Sequence, residues 1–196
     1  MRTFYREHFG TDSTMIAYGA DIEDSTHPDV IRQFGVAPGD YHLVVARLVP
    51  EDSVAEMLEG FRRPRTTRRL IVVGGDTYRN TFHERLKDIA RSDDWISMVG
   101  YISDQDVLKE LWCNCYAYLH GHSMGGTNPA LLRGMGYGRC VFAMDTAFNR
   151  ETLAEAGQFF TDSETLSSLI DAHEGAPFAG EALAKRARER LLAHYT

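Results

Sequence analysis

The residues that could do chemistry crowd into one stretch, Tyr116 to Gly138, which reads YAYLHGHSMGGTNPALLRGMGYG. It runs from an apolar segment through a glycine-rich turn into residues at helical spacing. Asn128 followed by Pro129 marks the helix start, because an Asn side chain caps a first turn and Pro has no N–H to lose there. Leu131, Leu132 and Met135 then form one apolar face, suited to packing on a sheet. The first-turn N–H groups point back into Gly125-Gly126-Thr127, so the loop end is an anion site.

A second chemistry can be written on the same residues. Gly121-His122-Ser123-Met124-Gly125 matches the nucleophile elbow of serine hydrolases, with a strand before it and a helix after it. An elbow starts its helix at the serine, whereas the cap signals here lie several residues later. Asp145 with His173 or His194 would have to complete the triad, and no HGGG-type segment lies upstream. His122 itself reads equally as a loop histidine bonded to backbone or as a ligand contact.

Several elements must position this turn. Tyr41 to Leu48 is a continuous apolar run of buried-strand type, and Arg47 near its end is either a snorkelling strand-end residue or a ligand contact. Ser53 to Phe61 has helical spacing. Arg69 to Gly74 is a second strand ending in Gly74-Gly75-Asp76, which lacks the third glycine of a dinucleotide fingerprint. The spacing predicts a helix over Tyr78 to Ile89, a strand over Trp95 to Val99, and a turn at Gly100-Tyr101-Ile102. Ser103 with Asp106 then makes a capping-box-like start for a helix to Trp112. Strands at Cys115 to Leu119, Arg139 to Met144 and Gln158 to Phe160 follow. Asn149 is read as the cap of a helix over Arg150 to Ala156, and two helices close the chain at Ser163 to Ala172 and Gly180 to His194. A short strand is expected at Thr14 to Tyr18. Alternation this regular predicts an α/β fold, a Rossmann-like doubly wound parallel sheet with its site at the strands' carboxyl ends.

The 196 residues, 43% hydrophobic and 25% charged, suit one globular core. A net charge of −7 argues against general nucleic-acid binding and leaves room for a local basic pocket. Cys113, Cys115 and Cys140 make no disulfide framework, and C-x-C on a strand sends both thiols to one face as packing, which fits a reduced cytosolic setting. No apolar run reaches the roughly 18 residues of a membrane span. Arg62, Arg63, Arg65, Arg68 and Arg69 read as a solvated helix end, with phosphate or lipid contact the weaker reading.

Taken in order, ARLVPE, LIVVGG, VGYISDQDVLKELW, the glycine-rich turn with its helix, and VFAMD resemble the C-terminal domain of glycosyltransferase family 4, the C-terminal half of a GT-B enzyme, over about Ile16 to Phe160. YLHGHSMGGTNPALL with FNRETL is similar to a bacterial, rhamnosyltransferase-like subgroup acting in cell-surface polysaccharide assembly. The resemblance implies that residues 21–196 bind a nucleoside diphosphate sugar such as dTDP-rhamnose, and that residues 1–20 are an interdomain link whose N-terminal acceptor domain is absent. Transfer would be metal-independent, without a cofactor, and retaining, to a saccharide or lipid-linked acceptor in the cytoplasm or at the inner face of the membrane. The resemblance carries over as follows: Arg47 to the donor diphosphate, Gly125, Gly126, Thr127 and Asn128 to phosphate and sugar oxygens, Gly100, Tyr101 and Ile102 to the edge of the base, and His122 with Ser123 to the transferred sugar. His122 and Arg47 are the candidate catalytic residues. Two departures stand out. Glu51 and Asp52 occupy the place of the family's lysine, and Gly125 and Arg133 stand where a pair of glutamates is usual. Arg133 can only donate where the second glutamate accepts from ribose hydroxyls. It either reaches a donor phosphate or points to solvent, and the same departures admit a degenerate domain that binds without transfer.

Overall fold

The structure, a computed structural model, describes residues 2–14, 16–62, 66–75 and 81–195. The strands β1 (Tyr41–Val45), β2 (Arg69–Val73), β3 (Ile96–Gly100), β4 (Ala117–His120), β5 (Cys140–Met144) and β6 (Gln158–Phe160) pair in parallel throughout, in the order β3-β2-β1-β4-β5-β6. The helices are α1 (Arg2–Phe9), α2 (Val54–Phe61), α3 (Thr81–Arg91), α4 (Gln105–Asn114), α5 (Pro129–Gly136), α6 (Ala147–Leu153), α7 (Ser163–Glu174) and α8 (Pro177–His194). Short 3-10 turns lie at Pro28–Phe34, Pro50–Asp52 and Ala154–Ala156.

A parallel sheet must be covered on both faces, and the strands carry apolar residues on both. Leu43, Ile71, Val73 and Val141 share one core with Leu111 and Trp112 of α4, Leu131 and Met135 of α5, and Leu191 of α8. Val44, Leu70, Val72 and Phe142 share the other with Met57 and Phe61 of α2, Leu86 of α3 and Ile170 of α7. The doubly wound arrangement expected from the alternation is the one observed.

Local capping differs from the sequence reading in two places. Asp104, not Ser103, caps α4, its Oδ1 accepting from the N–H groups of Asp106 and Val107 at 2.9 and 3.2 Å. Thr146 caps α6, accepting from Asn149 N at 3.2 Å, so Asn149 lies inside the helix and is buried. No strand forms over residues 14 and 16–18, because Ile16 and Tyr18 are exposed and pair with no sheet edge. The preceding chain forms α1, none of whose residues is buried.

Cys113 belongs to α4 and Cys115 to the link before β4, so the two thiols do not share a strand; all three cysteines are buried and unpaired, and burial pushes Cys115 and Cys140 up to about 12. Arg68 is not solvated. Its guanidinium pairs with Glu174, donates to Gly39 O at 2.7 Å and stacks 3.7 Å over the Tyr116 ring. Arg69 opens β2, while Arg63, Arg65, Asp76 of the turn after β2 and the first residues, 78–80, of the helix expected over Tyr78 to Ile89 lie outside the described residues.

Candidate functional site

The sheet order reverses between β1 and β4, which are neighbours although β2 and β3 intervene in the chain. At such a switch point the loops leaving two adjacent strands part in opposite directions and leave a crevice at the carboxyl ends. A cleft of about 520 Å³ lies there. It is lined by Arg47 after β1, Gly74 and Gly75 after β2, Tyr101 and Ile102 after β3, His120 at the end of β4 with Gly121 and His122 after it, and Asn128, Pro129, Ala130 and Arg133 of α5 and its cap.

Asn128 caps α5 as expected, Oδ1 accepting from Ala130 N at 2.8 Å, and Leu131, Leu132 and Met135 are buried beneath it. Arg133 falls on the opposite, exposed side of the helix and lines the cleft. Gly100, Ser123, Gly125, Gly126 and Thr127 adjoin the lining in the chain without forming part of it. Gly125 has φ +112°, a backbone conformation essentially reserved for glycine.

Beneath Arg47 sits Asp52, a buried carboxylate. Its Oδ2 accepts from Arg47 N at 3.1 Å and lies 3.3 Å from Arg47 Nε, while Oδ1 is 2.6 Å from His122 Nδ1. The Arg47 side chain remains 68% exposed, so the pair orients the guanidinium without burying it. The loop after β4 is held on its other flank too: Asn149 Nδ2 donates to His122 O at 3.0 Å and to Met144 O at 2.9 Å. Ser123 donates from both N and Oγ to Glu51 O, each at 2.9 Å. With α5 starting at Pro129 and the Ser123 hydroxyl directed to a carbonyl, these residues do not build a nucleophile elbow.

His120 is a residue the sequence reading left without a role. It is buried, its Nδ1 lies 2.9 Å from Tyr118 Oη, and its Nε2 has no partner among the described residues. Burial, aided by His122 and opposed by Asp52, takes its pKa down to about 3, so the ring is neutral, with Nε2 itself buried. The H-x-H spacing at a strand end carried this signal, since residues two apart share a face. Asp52 carried none in sequence, where it registered only as a missing lysine.

No protein-family model matches the chain, and no curated protein does. Solved structures do. The C-terminal domain of a glycosyl transferase group 1 family protein (LpcC) from Francisella tularensis superposes with a TM-score of 0.73 at 18% identity, covering 92% of this chain and 96% of that one. The fold is that of a GT-B C-terminal domain. Sucrose-phosphate synthase from Thermosynechococcus elongatus matches 99% of this chain with a TM-score of 0.81 at 18% identity, and Anabaena Alr3699/HepE, solved in complex with UDP-glucose, matches 93% with a TM-score of 0.81 at 16% identity. This GT-B-type chain spans only about half of those two proteins, 52% and 53% of their lengths. Its cleft is the switch-point crevice where α/β sheets of this kind take their ligands.

Proposed function

We propose that this chain is the donor-binding half of a glycosyltransferase, taking a nucleoside diphosphate sugar in the cleft between β1 and β4. The observation that carries the reading is the pairing, in one switch-point crevice, of a strand-end guanidinium held in place by Asp52 with the open start of α5. A diphosphate needs cationic and N–H donors that are already aimed, because reorganising them costs binding energy and rate. Arg47 meets the diphosphate, the Gly125–Asn128 backbone meets phosphate and sugar oxygens, Gly100, Tyr101 and Ile102 edge the base, and His122 with Ser123 stands by the transferred sugar. Anabaena HepE, whose structures hold UDP and UDP-glucose, lends support to a nucleotide-sugar donor.

In the finer reading the donor is dTDP-rhamnose, transfer is retaining and independent of metal or cofactor, and the acceptor is a growing saccharide or lipid-linked glycan of the bacterial surface, reached through a partner domain at the inner face of the membrane. Among the described residues no helix is long and apolar enough to cross a membrane.

One observation favours a second reading, a domain that binds a nucleotide sugar or a protein without transfer: the anionic Asp52 occupies the wall where a second cation would serve a diphosphate. Calorimetric titration with dTDP, UDP, GDP and NAD tests the primary reading. One nucleoside diphosphate is expected to bind selectively, with affinity falling about tenfold or more in Arg47→Ala through loss of charge-assisted hydrogen bonds. Silence for all four ligands, or binding indifferent to Arg47, rejects it. Binding without turnover once an acceptor domain is supplied selects the second.

A further inference from the structure

The contact between Asp52 and His122 decides more than the placement of a loop. Both side chains are largely buried, and their 2.6 Å separation requires a proton between Oδ1 and Nδ1. An ionised carboxylate only accepts, so in the neutral ring the proton sits on Nδ1 and Nε2 is left with a free lone pair. The ring cannot turn to exchange its nitrogens without breaking this bond, and the His122 backbone is tied to Asn149 besides. Nε2 lies on the Gly125 side: a Cβ there would stand 3.4 Å from it. The glycine thus leaves the space in front of the nitrogen open.

Arg47 and Arg133, the cationic side chains lining the cleft among the described residues, can only donate. They suit phosphate oxygens and offer nothing to a hydroxyl proton. A glycosyl group, by contrast, presents several hydroxyls that need acceptors. We infer that Asp52 is a positioning residue that holds His122 as the Nδ1–H tautomer, so that Nε2 accepts a hydrogen bond from a hydroxyl of the donor's glycosyl group. Through this acceptor the cleft distinguishes a nucleoside diphosphate sugar from the bare nucleoside diphosphate. The inference rests on the donor-site reading above and adds to it which atom recognises the sugar and what prepares that atom.

Two measurements on the full chain test it. Long-range ¹H–¹⁵N spectra of the ligand-free protein at pH 8 read the His122 tautomer directly: a protonated Nδ1 and an unprotonated Nε2 are expected, with the preference lost in Asp52→Asn. Calorimetry with UDP against UDP-glucose, and dTDP against dTDP-glucose, then reads the preference for the sugar. Wild type is expected to favour the sugar nucleotide roughly fivefold, as one hydrogen bond allows. Asp52→Asn and His122→Ala should both bring the ratio within about twofold, and His122→Gln, which keeps an acceptor, should recover part of it. The ratio cancels any effect of Asp52→Asn on Arg47 and the diphosphate. A proton on Nε2 in the free chain, or a sugar preference unchanged in the variants, overturns the inference. If no nucleotide binds, the donor-site reading falls, and with it the recognition of the sugar; the ring spectra still decide whether Asp52 sets the tautomer.

Discussion

Asp52 governs the cleft at the scale of single residues. A carboxylate at that position reads in sequence as a lost cation, yet in the fold it aims the guanidinium of Arg47 and the ring of His122 at once. Arg133 is the other departure, an exposed donor lining the cleft where an acceptor for ribose hydroxyls is expected. Arg133→Glu supplies that acceptor and should tighten nucleoside diphosphate binding several-fold by calorimetry, in line with one charge-assisted hydrogen bond; unchanged or weaker binding rejects this role for the position. Ser123, with its hydroxyl donated to Glu51 O, should give no covalent adduct with a fluorophosphonate, as intact-mass spectrometry will show. An adduct at Ser123 would restore the hydrolase reading. Of these residues Arg47, His122 and Arg133 were expected at the site from type and place in the chain and do line the cleft, whereas the partners of Asp52 and the burial of His120 are set only by the fold.

The site at the scale of elements depends on how closely the loop after β4 approaches the 3-10 turn after β1. Gly121 makes that approach: a Cβ there would lie 2.2 Å from Asp52 O and 2.7 Å from Met57 Cε. The backbone oxygen cannot swing aside as a side chain could, so Gly121→Ala must push the two loops apart. Overpacking of this kind costs about 1–3 kcal/mol, to be read as a lowered denaturation midpoint. The same substitution should weaken nucleotide binding, since it separates Asp52 from His122. An alanine variant with wild-type stability would show that the loops have room to spare. Asn149 works at this scale as well, bridging the carbonyls of His122 and Met144 from within α6. Its reading as a cap failed because Thr146, three residues earlier, offers its own oxygen to the same first turn.

For the whole molecule, buried charged and titratable groups set the response to acid. Glu110 is buried, and although burial alone would raise its carboxyl, hydrogen bonds from Ser25, Thr26 and the Thr26 and His27 N–H groups outweigh that and hold it at about 2. Glu174 behaves alike: burial raises it, but bonds from His42, Thr66 and Arg68 bring it to about 2. His42 and His120 are lowered by burial and stay neutral in the fold. The unfolded chain therefore takes up protons first, at the imidazoles below the ordinary histidine value of 6.5 and at the carboxylates below 4.5. Thermal stability should fall as pH drops through the first range and more steeply through the second, down to about 2. Glu110→Gln should flatten the lower part of that fall in a calorimetric pH series. A series identical to wild type would show that this carboxylate does not contribute there.

From β1 onward the sequence by itself determined which segments are strands and which helices, their order, and the start of α5 at Asn128-Pro129. Those signals are local: hydrophobic period, cap chemistry and the fixed φ of proline act within a few residues. It also placed Arg47, the glycine-rich turn and His122 at strand ends, where a parallel sheet puts its ligands. Only the tertiary structure decided which strand ends meet. Pairing β1 with β4 brings Asp52 to His122 across 70 residues of chain, and packing α7 against α2 and β6 brings Glu174 to Arg68 across 106. No periodicity encodes such contacts, because a buried carboxylate takes its partners from whatever the strand order sets against it, and that order departs from the order of the chain.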